Sequence, residues 1–305
     1  MSATSTLILP RFIQLTRDIK LSHSIFALPF ALLAAFLAAA SANRMPNAAT
    51  LSLVVICMVL ARTVAMTINR WADAALDAAN QRTQHRAIPS GRITPSFALG
   101  TAIICAGLFI VATTGFWVRN NNPWPMMLAP VVLVWICVYS FTKRVTSLSH
   151  LYLGSALAIS PLAAVIAVQP GYLGHIEPYL LAMMVMCWVA GFDVIYALQD
   201  IEPDRRLGLH SLPAKMGAES ALWCSRALHV GCFCSLVLLA ITSPTVGPVF
   251  ASAVVIVALL LLLEHALVWR SKTHHIHLAF FTVNGLISLL LGAVGIFETI
   301  RSIQP

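Results

Sequence analysis

Residues 96–117 read SFALGTAIICAGLFIVATTGFW, a run without one charged side chain. A membrane-spanning α-helix needs roughly 17–25 mostly apolar residues, and this stretch meets that length. Working outward, eight more segments fit the same description: 22–41, 48–68, 125–141, 151–168, 178–198, 220–241, 246–266 and 278–300. Over all 305 residues 59% are hydrophobic and only 10% charged, with a mean hydropathy of +0.85. A soluble domain carries about 25% charged residues, so a water-surrounded globule is excluded. Disorder demands low hydrophobicity and high charge, and is excluded too. The pattern predicts an all-α polytopic membrane protein, with nine transmembrane helices in one bundle over 22–305 and an amphipathic segment over 1–21.

That N-terminal segment interleaves Phe12, Ile13, Leu15 and Ile19 with Arg11, Arg17 and Lys20, a pattern suited to lying on a membrane surface. More than twenty residues precede the first apolar core, so it reads as retained and not as a cleaved signal. With the N-terminus in the cytoplasm, 15 of the 19 Lys and Arg residues fall on that side and three (Arg44, Arg119, Arg301) on the other. Arg62 sits inside a span, which accounts for the nineteenth. This asymmetry follows the positive-inside rule, places the C-terminus outside, and agrees with an odd number of spans. The chain's net charge of +8 therefore reports membrane orientation and not a nucleic-acid partner. The seven scattered cysteines read as small apolar packing residues.

Six of the eleven acids lie in two places on the cytoplasmic face, in or beside the longest loops, about 69–95 and 199–219. Asn69, Asp73 and Asp77 are spaced i, i+4, i+8, one face of a helix leaving the second span. Two readings stand: oxygen ligands for a hard divalent cation, or a solvated helix end with carboxylates paired to Arg70 and Arg82. Asp193, Tyr196 and Asp200 also share a helical face, at i, i+3, i+7. Pro203 disfavours helix at Glu202, so Asp204 is expected to begin a short new helix. Asp193 falls within the span, where an ionisable side chain is a functional candidate. The two acid-rich ends suit a pair of Mg²⁺ ions on a diphosphate, with Arg86, Lys143, Arg144 and Arg205 able to meet phosphate oxygens.

These residues resemble the UbiA superfamily of membrane-bound aromatic prenyltransferases. Asn69, Asp73 and Asp77 match its first aspartate-rich motif, with Arg82 to Arg92 (RTxxRxxPSGR) continuing it. Asp193, Tyr196, Ala197, Asp200, Asp204, Gly208 and Ser211 match the second, and Tyr139 to Thr146 resembles the family's YxxxKRxT stretch. Arg70 stands where the family has its first acid and His210 where lysine is common. Both departures point to the branch that prenylates a dihydroxynaphthoate on the futalosine route to menaquinone.

The resemblance implies nine helices around a central cavity open to the cytoplasm. It also implies transfer of a polyprenyl group from polyprenyl diphosphate to a hydroxylated aromatic acid, 4-hydroxybenzoate or 1,4-dihydroxy-6-naphthoate. Mg²⁺ would be held by Asp73, Asp77, Asp200 and Asp204 with Asn69 assisting, and the diphosphate met by Arg86, Lys143, Arg144 and Arg205. Tyr139 and Tyr196 would face the allylic cation, or serve as packing or interfacial side chains. Arg62 lies seven residues before Asn69, roughly 10 Å deeper along the helix. It reads as a ligand for the acceptor carboxylate or as a structural partner of Asp193. The partners are then the two substrates and the lipid bilayer, with no obligate protein, and the location a bacterial inner membrane. A transporter is the rival class, but the acids gather at one face and no pair of broken helices stands in matching halves. A phosphatidyltransferase lacks its DGxxAR-type motif here. Two further features carry bland readings: His274, His275 and His277 as a solvated loop, and Glu264 with His265 as packing and snorkelling side chains.

Overall fold

The computed structural model describes residues 5–19, 26–271 and 279–303, and among these every regular element is helical. In chain order they are α1 (Ser5–Asp18), α2 (Leu28–Ala40), α3 (Ala48–Ala72), α4 (Ala74–Ala78), α5 (Pro95–Asn120), α6 (Trp124–Thr142) and α7 (Ser149–Val168). Then follow α8 (Glu177–Ala197), α9 (Ile201–Arg206), α10 (Leu212–Met216), α11 (Ala218–Thr242), α12 (Pro248–Ser271) and α13 (Asn284–Ile303). Eight helical stretches among the described residues are long and apolar enough to cross a membrane, and they coincide with the second to ninth expected spans. The first expected span, 22–41, lies partly outside the described residues. Its described part is α2, with 13 residues, which at the helical rise reach about 20 Å of a roughly 30 Å hydrocarbon core. The histidines at 274, 275 and 277 also lie outside the described residues.

The chain divides into two compact units. One comprises Met1–Ser24 and Ile56–Phe141. Its core joins Leu15 and Ile19 of the N-terminal segment to Ala87, Ile88, Ile93 and Ala98. The apolar face of α1 is therefore split: Leu15 and Ile19 cover the loop before α5, while Phe12 and Ile13 stay exposed. Of these four side chains, Phe12 and Ile13 are the pair left for a membrane surface. Thr94 starts α5 by accepting a hydrogen bond at Oγ1 from the Phe97 amide (3.3 Å), with Pro95 next. Farther along, Ile103, Ile104 and Val111 of α5 point outward at about two-thirds exposure, as side chains facing lipid do.

The second unit comprises Ile25–Val55 and Thr142–Pro305. At its centre runs α8, packed between α7 and α11; Met184, Val185, Trp188, Val189, Ala190, Val194 and Ile195 are fully buried. The Trp188 ring meets Phe30 and Phe192 edge-on. Its Nε1 donates to Asn284 Oδ1 (2.6 Å), and Asn284 Nδ2 donates to Glu264 Oε1 (2.8 Å). Glu264 thus does not snorkel. It is fully buried, because Asn284 supplies the polar contact that water would otherwise give. All seven cysteines are free thiols.

Small residues set the helix spacing in this unit. A Cβ on Gly154 of α7 would strike the Met186 carbonyl of α8, and one on Gly292 of α13 would strike Pro29 of α2. Without a hydrophobic drive between helices in lipid, such close backbone approach supplies the packing energy. Charged side chains then finish helix ends across the unit. Arg44 donates from its guanidinium to the Val168 carbonyl at the end of α7 (2.9 Å). Glu298 of α13 accepts from the amides of Gly247 (2.6 Å), Val249 (3.1 Å) and Phe250 (2.9 Å), so its carboxylate caps α12.

Hydrogen bonds to a charged acceptor are worth about 1.5–3 kcal/mol each. Replacing Glu298 with alanine is expected to lower the thermal unfolding midpoint by several degrees and to expose the start of α12 to hydrogen exchange. Glu298→Gln, which keeps part of the cap, should fall between the two.

Candidate active site

In the first unit α3 runs to Ala72 and the chain pauses at Asp73, whose backbone (φ −91°, ψ 7°) leaves the helical region before α4 resumes. The pause does not break register. Asp73 N donates to Asn69 O (3.0 Å) and Asp77 N to Asp73 O (2.7 Å), so the expected i, i+4, i+8 relation is carried through the interruption. Asn69 Nδ2 donates to Asp73 Oδ2 (3.0 Å), and Arg70 donates to Asn69 Oδ1 (3.0 Å). Asp77 is buried, and both its oxygens accept from one nitrogen of Arg86 (2.7 and 2.8 Å). Arg70 turns instead to Asp18 (3.6 Å), whose other oxygen accepts from the Ala87 amide (3.2 Å).

Asp18 was not among the candidates from sequence, although it is the only acid before Asp73 and lies in an otherwise basic segment. It ties α1, the end of α3 and the loop that carries Arg86. Arg82, Tyr139 and Arg62 also belong to this unit; Arg62 and Tyr139 are half-buried on α3 and α6, while Arg82 is exposed.

In the second unit α8 ends at Ala197, a 3₁₀ turn covers Leu198–Asp200, and α9 begins at Ile201. The expected new helix exists but starts three residues ahead of Asp204, and Glu202 is inside it. Pro203 sits in the first turn, where its missing N–H has no helical acceptor to lose. Asp200 and Asp204 are both buried. Lys143 Nζ lies 2.7 Å from Asp204 Oδ1, and the Lys143 carbonyl accepts from the His210 amide (2.8 Å). Arg205 is partly exposed, donates to the Ala214 carbonyl (2.9 Å) and lies 3.8 Å from Glu202. Arg144 is exposed beside Lys143.

Asp193, half-buried on α8, is engaged by His150 of α7, with Nδ1 to Oδ2 at 2.6 Å. The opposite ring nitrogen of His150 accepts from the Leu212 amide (3.3 Å), which requires the proton on Nδ1 when the imidazole is neutral. A lone histidine at the start of an apolar run gives no sequence signal for this. Tyr196 is half-buried and packs, with Leu198, Leu222 and Leu267, against Ile195 and Val268.

Among the described residues no three His, Cys, Asp or Glu side chains stand close enough to hold a metal ion alone. The donor set nonetheless fits one bound together with a phosphate ligand. It consists of hard oxygens, without Cys or His, as Mg²⁺ prefers with few carboxylates and substrate oxygens. Asp204 Oδ2 is buried and accepts no hydrogen bond, an open lone pair at a position where such an ion would bind.

The sequence model of the UbiA prenyltransferase family matches residues 27–290. Over 178 residues the chain is 33% identical to a 4-hydroxybenzoate octaprenyltransferase of Shewanella piezotolerans, a stretch of 58% of this chain and 59% of that one. The match thus spans about three fifths of that relative's length. The apo structure of a UbiA homologue from Aeropyrum pernix K1 superposes with a TM-score of 0.80 at 28% identity, covering 91% of this chain and 98% of the other. A UbiA homologue from Archaeoglobus fulgidus bound to GPP and Mg²⁺ shares the fold, with a TM-score of 0.73 at 18% identity over 95% and 99% of the two chains. With the two acid-bearing helix ends in place and more than four-fifths of its length matched, this chain belongs to the UbiA prenyltransferase family.

Proposed function

We propose that this protein transfers a polyprenyl group from polyprenyl diphosphate to a hydroxylated aromatic carboxylic acid, 4-hydroxybenzoate or 1,4-dihydroxy-6-naphthoate, in ubiquinone or menaquinone biosynthesis. The observation that carries this reading is the pairing of a buried carboxylate with a cation at each acid-rich helix end: Asp77 with Arg86 and Asp204 with Lys143. Carboxylates and cations held ready side by side suit a metal–diphosphate ligand, which carries charge of both signs. The relative named for 4-hydroxybenzoate and the homologue bound to GPP and Mg²⁺ support the same substrate class. Arg70 and His210, where the family pattern differs, favour the naphthoate.

Asp73, Asp77, Asp200 and Asp204, with Asn69, are the residues that would hold Mg²⁺, which when bound offsets negative charge on a departing diphosphate. Arg86, Lys143, Arg144 and Arg205 bind phosphate oxygens and add positive charge where negative charge develops. Breaking the allylic C–O bond sends its electron pair to the diphosphate and leaves a delocalised cation on the prenyl chain. The acceptor ring attacks that cation ortho to its hydroxyl, and the attacked ring carbon then loses its proton. Tyr139 and Tyr196 present ring faces to the cation. Asp193, fixed by His150, and Arg62 bind the acceptor, Arg62 through its carboxylate. Apolar walls keep out the water that would quench the cation to an alcohol. The cavity opens to the cytoplasm of a bacterial inner membrane, the N-terminus lying inside and the C-terminus outside.

Purified protein given a radiolabelled polyprenyl diphosphate and a panel of aromatic acids should form labelled prenylated acid only when Mg²⁺ is present. Product absent under every condition with folded protein would sink the assignment. Asp73→Asn and Asp204→Asn should each slow turnover about 100-fold or more, the several kcal/mol that metal stabilisation of a leaving oxygen supplies.

Arg62→Ala should raise the KM for the acceptor acid roughly tenfold, the loss of about one charge-assisted hydrogen-bonded contact, with kcat little changed. An unaltered KM removes Arg62 from the acceptor site.

A further inference from the structure

Among the described residues Arg226 is a cation without an anionic side chain beside it. It lies eight residues past the start of α11, inside a helix long enough to cross the membrane, and among the described residues no carboxylate pairs with it. What surrounds it is aromatic. Its guanidinium carbon stands 4.4 Å from the centre of the Trp223 ring, one turn back on α11, and 5.5 Å from that of Trp269, near the end of α12. Both indoles look outward, with Trp223 62% and Trp269 74% exposed. All three residues belong to the second unit, and the positive-inside reading puts this end of α11 and α12 on the cytoplasmic side.

Each feature taken singly has an ordinary explanation. Tryptophan is enriched where a helix passes from hydrocarbon to headgroups, and an arginine near a helix end can snorkel. Together they make a recognition site. Two ring faces hold the guanidinium in place and satisfy its electrostatics only in part, since a ring quadrupole is no counter-ion. The N–H edges of a guanidinium match a phosphodiester in two parallel hydrogen bonds, which a lysine cannot reproduce. The indole N–H groups add donors at the same level. Because the indoles face outward, the ligand arrives from the bilayer, where a phosphate carries acyl chains able to lie along exposed apolar positions such as Val230 and Leu262.

We propose that Trp223, Arg226 and Trp269 form a binding site for the headgroup phosphate of an anionic membrane lipid. The site uses none of the residues assigned to prenyl transfer and does not depend on that assignment; it requires only that α11 and α12 span the membrane.

Native mass spectrometry of the delipidated full chain, titrated with phosphatidylglycerol or phosphatidylcholine, tests it. The wild-type chain should retain phosphatidylglycerol about tenfold more strongly than phosphatidylcholine, and Arg226→Gln should abolish most of that preference. Trp269→Leu alters an exposed side chain, keeps the fold and should weaken retention too; it serves if the arginine variant fails to fold. A competing arm adds inorganic phosphate at millimolar concentration. Phosphatidylglycerol that stays bound supports a lipid site, whereas displacement by phosphate assigns a plain anion site and overturns the proposal. Equal retention of the two lipids, or a phosphatidylglycerol preference unchanged in both folded variants, also overturns it.

Discussion

A carboxylate taken out of water at the end of a membrane helix has to be cancelled locally, and both aspartate-rich segments are shaped by that demand. Asp77 is closed by Arg86, Asp204 by Lys143 and Asp193 by His150. Desolvating two charges costs several kcal/mol per ion and their attraction offsets this only when the geometry is good. The surrounding backbone serves that geometry. The interruption at Asp73 keeps helical register, and after the turn at Leu198–Asp200 the separate helix α9 carries Asp204 to Lys143. The outcome at each of these carboxylates is a partner within hydrogen-bonding distance, supplied from another element or loop of the same unit.

The same economy governs helix termini. In lipid a free carbonyl or amide has no water to bond, and the protein finishes such ends with side chains from distant segments. Glu298 closes the start of α12, Arg44 the end of α7, and His150 holds the Leu212 amide. Each of these contacts joins segments more than forty residues apart in sequence. They do for a helical membrane unit what apolar burial does for a soluble core: they make one arrangement of helices better satisfied than its alternatives. Close approach at Gly154 and Gly292 then supplies dispersion energy along the helix lengths.

A cation that no carboxylate of the described residues meets is the informative exception, and with so few acids in the chain it is easily noticed. At Arg226 the neighbours are aromatic and outward-facing, which moves the demand for a counter-ion from the protein to the bilayer.

Much of this was open to a reader of the sequence. Hydrophobic run length fixes the number of long spans within one, because hydrocarbon thickness translates directly into residues per helix. The i, i+4 spacing of Asn69, Asp73 and Asp77 places those side chains together, because helical geometry is local. Only tertiary structure decided which cation meets which acid. Asp18 reaches Arg70 and Ala87, Lys143 reaches Asp204, and His150 reaches Asp193 across separations that no periodicity encodes. It also buried Glu264 against Asn284 and turned Leu15 and Ile19 inward. Local pattern reports what a segment must do with its solvent; the choice of partner depends on where other helices pass, and that is settled by packing the whole unit.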